Sequence, residues 1–145
     1  MGDLSKDIKS KFDNEFVKAL INIKYTSSWL DNIANGILRP YNISEQQYNI
    51  LRILRGAGKA IPVNAIKERM IQKSPNSTRL MDKLCDKDLI NRVRCDSDRR
   101  VVYIEISNEG MELLGKIDLA ELEKYIYSLT EKEAKTLNTL LDKIR

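Results

Sequence analysis

Apolar residues in the first forty positions recur at helical spacing. From Ile8 to Leu38 they return every three, four or seven residues with no proline between them, which predicts one long helix. The apolar positions of this helix are Ile8, Phe12, Phe16, Leu20, Ile23, Leu30, Ile33 and Ile37. Such a helix is far longer than the average of about 11–12 residues in globular proteins, so it needs a long partner surface. We interpret it as a dimerisation helix; the alternative is a long helix that crosses a monomeric domain.

A second helix is predicted after a break in the chain. Pro40 disfavours helical backbone at the residue before it, and Asn42 tolerates a left-handed connection. Ser44 and Gln47 then have the spacing of a capping box, in which each side chain bonds to the backbone of the other residue. The pattern predicts that this helix ends at the glycine-rich turn of residues 56–58.

A helix-turn-helix is predicted in the middle of the chain. The segment from Ile61 to Met70 has apolar residues at helical spacing and is short enough to be the first helix, with residues 71–73 as the turn. Ser74 is a favourable N-cap and Pro75 suits a first helical turn, so the second helix is predicted to run from Ser74 to Lys87. This tandem is the geometry that lays a second helix into the major groove of DNA.

Two short β-type runs follow this motif. They extend over Ile90–Cys95 and Val101–Ile106, and the polar, basic residues 96–100 join them, which predicts a β-hairpin. After the hairpin, Ser107 is expected to cap one helix whose apolar residues continue to Leu129.

A final helix is predicted to begin at the second capping box, Thr130 with Glu133. We expect the C-terminal helices to pack against the long first helix and against the same elements of a second chain. The residues expected at this dimer interface are Phe12, Phe16, Leu20, Leu137, Leu141 and Ile144.

The composition argues against several classes of protein. A chain of 145 residues with 42% hydrophobic and 32% charged residues is expected to form one globular unit. No apolar run approaches the roughly 20 residues of a membrane span, and the N-terminus lacks the apolar core of a signal peptide, so we expect a cytoplasmic protein with no membrane partner. There is no histidine, no glycine-rich phosphate loop and no nucleophile motif. We therefore expect no metal, no cofactor and no enzymatic activity.

The positive charge is concentrated in the predicted DNA-reading stretch. The chain has a net charge of +4, and residues 73–100 contain eight basic and five acidic side chains. Four side chains on the polar face of the second helix are of types that donate hydrogen bonds to base edges and phosphates. They are Asn76, Thr78, Arg79 and Lys83. A solvated helix face is the plainer interpretation of the same pattern.

Three ordered motifs occupy this part of the chain. They are Thr78-Arg79-Leu80 with Lys83-Leu84, then Asp98-Arg99-Arg100, then Ile106-Ser107-Asn108-Glu109-Gly110. In this order they resemble the T-R-L-(x)2-(K/R)-L, D-x-R and L-T-x-x-G patterns of the MarR family of winged-helix transcriptional regulators. The sequence departs from the family where Asn42 and Asp88 replace glycines and Ser77 replaces an apolar residue. We expect Asn42 and Asp88 to accept positive φ, and the Ser77 hydroxyl either to bond back to the helix or to loosen its packing.

The resemblance implies a mainly α fold with a small β-hairpin. It comprises a winged helix-turn-helix DNA-binding lobe and a helical dimerisation region formed by the N- and C-terminal helices. We assign residues 1–40 to the first dimerisation helix, 41–106 to the DNA-binding lobe and 107–145 to the C-terminal dimerisation helices.

The resemblance also implies a homodimeric regulator, expected to be a ligand-responsive repressor, on a pseudo-palindromic double-stranded operator. Ser74 and the four side chains of the polar face would meet the major groove. The wing would reach the minor groove with Arg94, Asp98, Arg99 and Arg100. The alternative function is a winged-helix scaffold for protein interactions that does not read DNA, which would show no steep salt dependence of DNA binding.

Two kinds of regulation are considered, one by a small molecule and one by an oxidant. Members of the family often bind aromatic or phenolic anions between the dimerisation helices and the DNA-binding lobe, and Trp29, Tyr41 and Tyr48 are candidates to line such a cleft; core packing is the alternative. Nearby basic residues would lower the pKa of a thiol at Cys85 or Cys95. We nevertheless interpret both cysteines as reduced thiols without a redox role.

Overall fold

The computed structural model describes residues 2–94 and 100–145, and these residues form eight α-helices and a small sheet. The elements in chain order are α1 Leu4–Asp7, α2 Glu15–Leu38, a 3₁₀ turn Arg39–Tyr41, α3 Glu45–Ala57, β1 Ile61–Pro62, α4 Val63–Arg69, α5 Ser77–Cys85, β2 Ile90–Arg94, β3 Val102–Ile106, α6 Asn108–Lys116, α7 Ala120–Ile126 and α8 Glu131–Ile144. The predicted fold class, mainly helical with a small sheet that follows a helix-turn-helix, is confirmed.

The sheet has three antiparallel strands in the order β1-β3-β2, with Ile61 opposite Ile104 and Ile90 opposite Ile106. The hairpin of β2 and β3 was predicted, but β1 was not, because the segment from Ile61 was assigned to a helix. Pro62 is extended, with φ −62° and ψ 147°, and α4 begins only at the next residue. The strand β1 therefore consists of Ile61 and Pro62, the first two residues of the segment that the apolar spacing predicts to be helical.

The N-terminal helix predicted from Ile8 to Leu38 begins only at Glu15, after a separate short helix α1. Helix α2 spans 24 residues and begins after Asn14, whose side-chain oxygen accepts the amide hydrogen of Val17 at 2.9 Å. Lys9 has a positive φ of 51°, a backbone conformation that no α-helix contains. Phe12 consequently lies outside the helix, half-buried in the connection between α1 and α2.

The helix predicted from Ser107 to Leu129 is two helices. Ile117 is buried and extended, with ψ 114°, and it ends α6. The Asp118 carboxylate then accepts the amide hydrogen of Ala120 at 2.8 Å and starts α7. Both predicted capping boxes, at the starts of α3 and α8, are confirmed.

One apolar core joins the helix-turn-helix and the sheet to the helices that flank them in the chain. It contains residues from α3, α4, α5 and the sheet, together with Leu38 at the end of α2 and Leu114 in α6. Fully buried side chains at its centre are Leu38, Ile50, Leu51, Leu54, Ile66, Met81, Leu84 and Ile104. The position of α5 is therefore tied to the ends of the flanking helices.

The terminal helices leave apolar side chains uncovered. On α2, Phe16 is 89% exposed and Leu20 is 58% exposed, while on α8 Leu137 and Ile144 are exposed and Leu141 is half-buried. No residue of α8 is buried.

Within the described part of the chain, no helix is both long enough and apolar enough to cross a membrane.

Candidate nucleic-acid interface

Helix α5 begins three residues later than predicted. Asn76 occupies the N-cap position and the helix starts at Ser77. Ser74 instead forms a preceding turn, because its Oγ accepts the amide hydrogen of Asn76 at 3.2 Å and its carbonyl accepts the amide hydrogen of Ser77 at 3.2 Å. Ser74 and Pro75 thus lead the chain into the helix but do not belong to it.

Helix α5 has one buried side and one polar side. Met81 and Leu84 are buried in the core, as is Ser77, whose hydroxyl donates to the Ser74 carbonyl at 2.8 Å. The Ser77 hydroxyl was expected to bond back to the helix or to loosen its packing; it instead bonds to the turn that precedes the helix. The four side chains predicted to contact DNA are all exposed: Asn76, Thr78, Arg79 and Lys83. The structure therefore brings them together on the surface turned away from the core.

Two polar residues of α3 hold the turn between α4 and α5. The Asn49 side-chain oxygen accepts the amide hydrogen of Ile71 at 3.1 Å, and the Gln46 amide donates to the Gln72 side-chain oxygen at 2.9 Å. These bonds fix the backbone that precedes α5. Sequence reasoning missed them, because nothing in the local pattern pairs α3 with residues more than twenty positions away.

The end of α5 is tied to two neighbouring segments. Asp88 has a positive φ of 58°, as expected for a position where the related family has glycine, and its carbonyl accepts the Ser107 hydroxyl at 2.6 Å. The Lys87 ammonium donates to the carbonyl of Asn42, which also has the expected positive φ, here 54°. Lys87 and Asp88, which follow α5, thus connect its end to the turn before α3 and to the start of α6.

Gly110 permits a close approach between α6 and the residues after α5. Its amide hydrogen bonds to Ser107 Oγ at 3.0 Å, and the Ser107 amide donates to the Leu89 carbonyl at 3.1 Å. A Cβ on Gly110 would lie 2.2 Å from that carbonyl oxygen, far inside van der Waals contact. The serine and glycine of this motif therefore fasten the start of α6 to the segment that follows α5.

Strand β2 carries two arginines, Arg92 and Arg94, on one face. Arg92 lies opposite the buried Ile104, and Arg94 lies opposite Val102. The Arg92 guanidinium forms an ion pair with Asp82 of α5, a contact that sequence reasoning did not anticipate. Of the predicted wing residues, Arg94 and Arg100 are exposed, whereas Asp98 and Arg99 lie outside the described residues, as does Cys95.

The three aromatic residues proposed for an effector cleft each have a contact within the chain. Trp29 packs edge-on against Tyr125 with ring centroids 4.6 Å apart, the Tyr41 hydroxyl donates to the Lys116 carbonyl at 2.8 Å, and Tyr48 packs against the core. A surface cavity of about 250 Å³ is lined by other residues, between α4 and the start of α5. An effector role for these aromatic residues stays a prediction.

Cys85 is a half-buried free thiol at the last position of α5. Burial raises the pKa of the thiol, and the neighbouring Arg92 offsets part of that rise. This rise in the pKa of Cys85 is opposite to the decrease that flanking basic residues would produce.

Among residues 2–94 and 100–145, no group of three or more acidic or cysteine side chains is arranged to hold a metal ion.

Comparison with known proteins gives consistent matches. Residues 32–117 match the model of the SarA/Rot family of transcriptional regulators. The transcriptional regulator PecS of Dickeya dadantii is 30% identical over 138 residues, which cover 91% of this chain and 82% of PecS. The multiple antibiotic resistance protein MarR of Salmonella typhimurium is 31% identical over 121 residues, which cover 79% of this chain and 81% of MarR. A mutant of Escherichia coli MarR, solved in complex with operator DNA, has the same fold, with a TM-score of 0.79 at 24% identity over 93% of this chain and 99% of the mutant.

Proposed function

Because the chain belongs to the MarR family of winged-helix transcriptional regulators, we propose that its helix α5 reads double-stranded DNA from the major groove. The observation that supports this assignment is the division of α5 into a buried side, with Met81 and Leu84, and a surface of polar and basic side chains. Arg79 is proposed to contribute most to base recognition, because a guanidinium can donate hydrogen bonds to both acceptors on the major-groove edge of guanine. Asn76 suits adenine, while Thr78 and Lys83 suit phosphates or base edges.

The wing is proposed to contact the minor groove beside this site. Arg94 and Arg100 are exposed at the outer ends of the hairpin strands, and Asp98 and Arg99 follow between them in the sequence. A narrow minor groove has a concentrated negative potential that attracts arginine. Ser74, in the turn before α5, is proposed to bond a phosphate at the edge of the major groove.

The regulator is proposed to act as a homodimer on a pseudo-palindromic operator. The exposed apolar residues of α2 and α8 supply a surface that a second copy would cover. The E. coli relative was solved with operator DNA. Two copies of α5 held at a fixed separation would read two half-sites.

A small aromatic or phenolic effector is proposed to bind beside Trp29, Tyr41 and Tyr48. It would release DNA by changing the separation between the two copies of α5.

The test is a salt titration of DNA binding. Fluorescence anisotropy with a labelled duplex of mixed sequence should show affinity that falls steeply between about 50 and 200 mM salt, because several phosphates release counterions when they are neutralised. Arg79→Ala should weaken binding more than Lys11→Ala, which removes an equal charge from an exposed N-terminal position outside α5 and the wing. Salt-independent or absent binding would favour the scaffold function instead.

A further inference from the structure

The ion pair between Arg92 of β2 and Asp82 of α5 joins the wing to the helix proposed to read DNA. We propose that this ion pair is a positioning device: it sets the wing relative to α5 and keeps the Asp82 carboxylate from competing for Arg79. The inference rests on the DNA-reading function proposed for α5. It assigns to Arg92 a role distinct from contact with DNA.

The geometry follows from the pleat of β2. Alternate residues of a strand point to the same face, so Ile90, Arg92 and Arg94 share one face. Ile90 is buried in the core, Arg92 lies opposite the buried Ile104, and Arg94 is exposed. Arg92 thus follows the buried Ile90 on this face, and its ion pair with Asp82 links the strand to the helix at a solvent-exposed position.

Asp82 places a negative charge on α5 beside the side chains proposed to contact DNA. Asp82 lies three positions after Arg79 and four after Thr78, a spacing that places side chains side by side on a helix. A carboxylate there repels phosphates and attracts the guanidinium of Arg79. Arg92 neutralises that carboxylate from the sheet side, and within the described ranges no hydrogen bond or ion pair engages the Arg79 side chain. Both members of the ion pair are about half-exposed, at 49% for Arg92 and 48% for Asp82, so this neutralisation operates at the surface where DNA would lie.

A direct phosphate contact by Arg92 would have a different consequence. In that case Asp82 would only weaken binding, and its removal would tighten the complex with any DNA sequence. If the ion pair positions the wing and Arg79, removal of either partner disturbs sequence reading. The behaviour of Asp82→Asn therefore separates the two roles.

The experiment is a double-mutant cycle with a charge-reversed control. The variants are Asp82→Asn, Arg92→Gln, the combination of these two, and the charge-reversed pair Asp82→Arg with Arg92→Asp. Each is measured on a duplex that the wild-type protein selects from a random pool and on a scrambled duplex of the same composition. Urea unfolding without DNA reports whether each variant is folded.

Each single substitution should reduce the ratio of selected to scrambled affinity by about fivefold, on the order expected for a surface ion pair that orients one base contact. The combined variant should lose no more than the worse single variant, since both substitutions break the same contact. The charge-reversed pair should recover the ratio to within about twofold of the wild type.

Three results would overturn the proposal. Asp82→Asn could bind the selected duplex as tightly as the wild type or more tightly. Arg92→Gln could lose equal affinity for both duplexes and reduce the salt slope by about one phosphate contact. A folded charge-reversed variant could fail to recover the ratio. If the wild type binds no DNA, the DNA-reading function itself fails; normal wild-type binding with unchanged ratios refutes only the role of the ion pair.

Discussion

Gly110 is the glycine at which the surrounding backbone leaves least room for a side chain. An alanine there would place its Cβ 2.2 Å from the Leu89 carbonyl oxygen, so α6 would have to move away from the end of α5. We predict that Gly110→Ala lowers the free energy of unfolding by about 2–3 kcal/mol. Urea unfolding followed by circular dichroism measures this change.

Gly115 provides the matched control for that substitution. It lies in the same helix, and an added Cβ would meet nothing within 4 Å. Gly115→Ala should be neutral or stabilise the protein by up to about 1 kcal/mol, because alanine has the higher helix propensity. Equal effects at the two glycines would contradict the proposed close approach.

Arg79 is the residue on which base recognition is predicted to depend most. Arg79→Ala should weaken binding to a selected duplex by about 1–3 kcal/mol. Arg79→Lys should keep most of the salt dependence but relax sequence discrimination, because an ammonium cannot make the paired hydrogen bonds of a guanidinium. If the lysine variant discriminates as well as the wild type in competitive binding, Arg79 contacts phosphate rather than a base.

Cys85 is predicted to be an unreactive thiol. Burial raises its pKa, so less thiolate is present at neutral pH than for an exposed cysteine. In a Cys95→Ser background, alkylation of Cys85 at pH 7 should be slower than that of free cysteine, and peroxide should leave DNA binding intact. Faster alkylation, or loss of DNA binding that Cys85→Ser prevents, would indicate a redox role.

At the scale of elements, the start of α8 couples helix stability to pH. Hydrogen bonds from the backbone and hydroxyl of Thr130 lower the pKa of Glu133 below its ordinary value of 4.5. A carboxyl group whose pKa is lower in the folded state stabilises that state above the unfolded pKa and loses this effect as the pH falls through the folded pKa. Glu133→Gln should therefore flatten the dependence of stability on pH below about pH 4.5, as thermal unfolding would show. An unchanged pH profile would refute the cap contribution.

The elements that could be predicted from the sequence are those with local signals. Ser44 with Gln47, Thr130 with Glu133, and Ser107 each mark a helix start, and all three are confirmed. The predicted start of α5 was wrong, because Ser74 and Pro75 are residue types that favour a helix start but here form a turn before the helix. The breaks before α2 and after α6 were missed because Phe12 and Ile117 maintain helical spacing across them.

Contacts between distant segments could not be predicted in the same way. Strand β1 forms only because it pairs with β3, about forty residues later. The Asp82–Arg92 ion pair likewise depends on how β2 packs against α5. The exposed residues of the proposed interface were predictable because one helix carries them at a regular period. The hydrogen bonds that orient this helix come from α3 and α6, which no local pattern connects to it.

At the scale of the whole molecule, the uncovered apolar faces predict a dimer. Leu137→Asp should shift the protein from about twice the 16.7 kDa chain mass toward the monomer in sedimentation velocity, because it places a charge in the proposed interface. It should also weaken binding to a two-half-site duplex by about 100-fold, since the two lobes would bind independently. Ile71→Asp is the control: Ile71 is 86% exposed on the turn before α5, and its substitution should leave the mass unchanged. A wild-type monomer would contradict this arrangement.

Two copies of α5, held by the terminal helices, are proposed to read neighbouring major grooves. Hydroxyl-radical footprinting combined with guanine-methylation interference on a selected duplex tests this arrangement directly. We predict protection on one side of the duplex, with two interfering major-groove guanine positions about 10 base pairs apart, and loss of this interference in Arg79→Ala. Uniform protection, or interference that Arg79→Ala leaves unchanged, would contradict the claim.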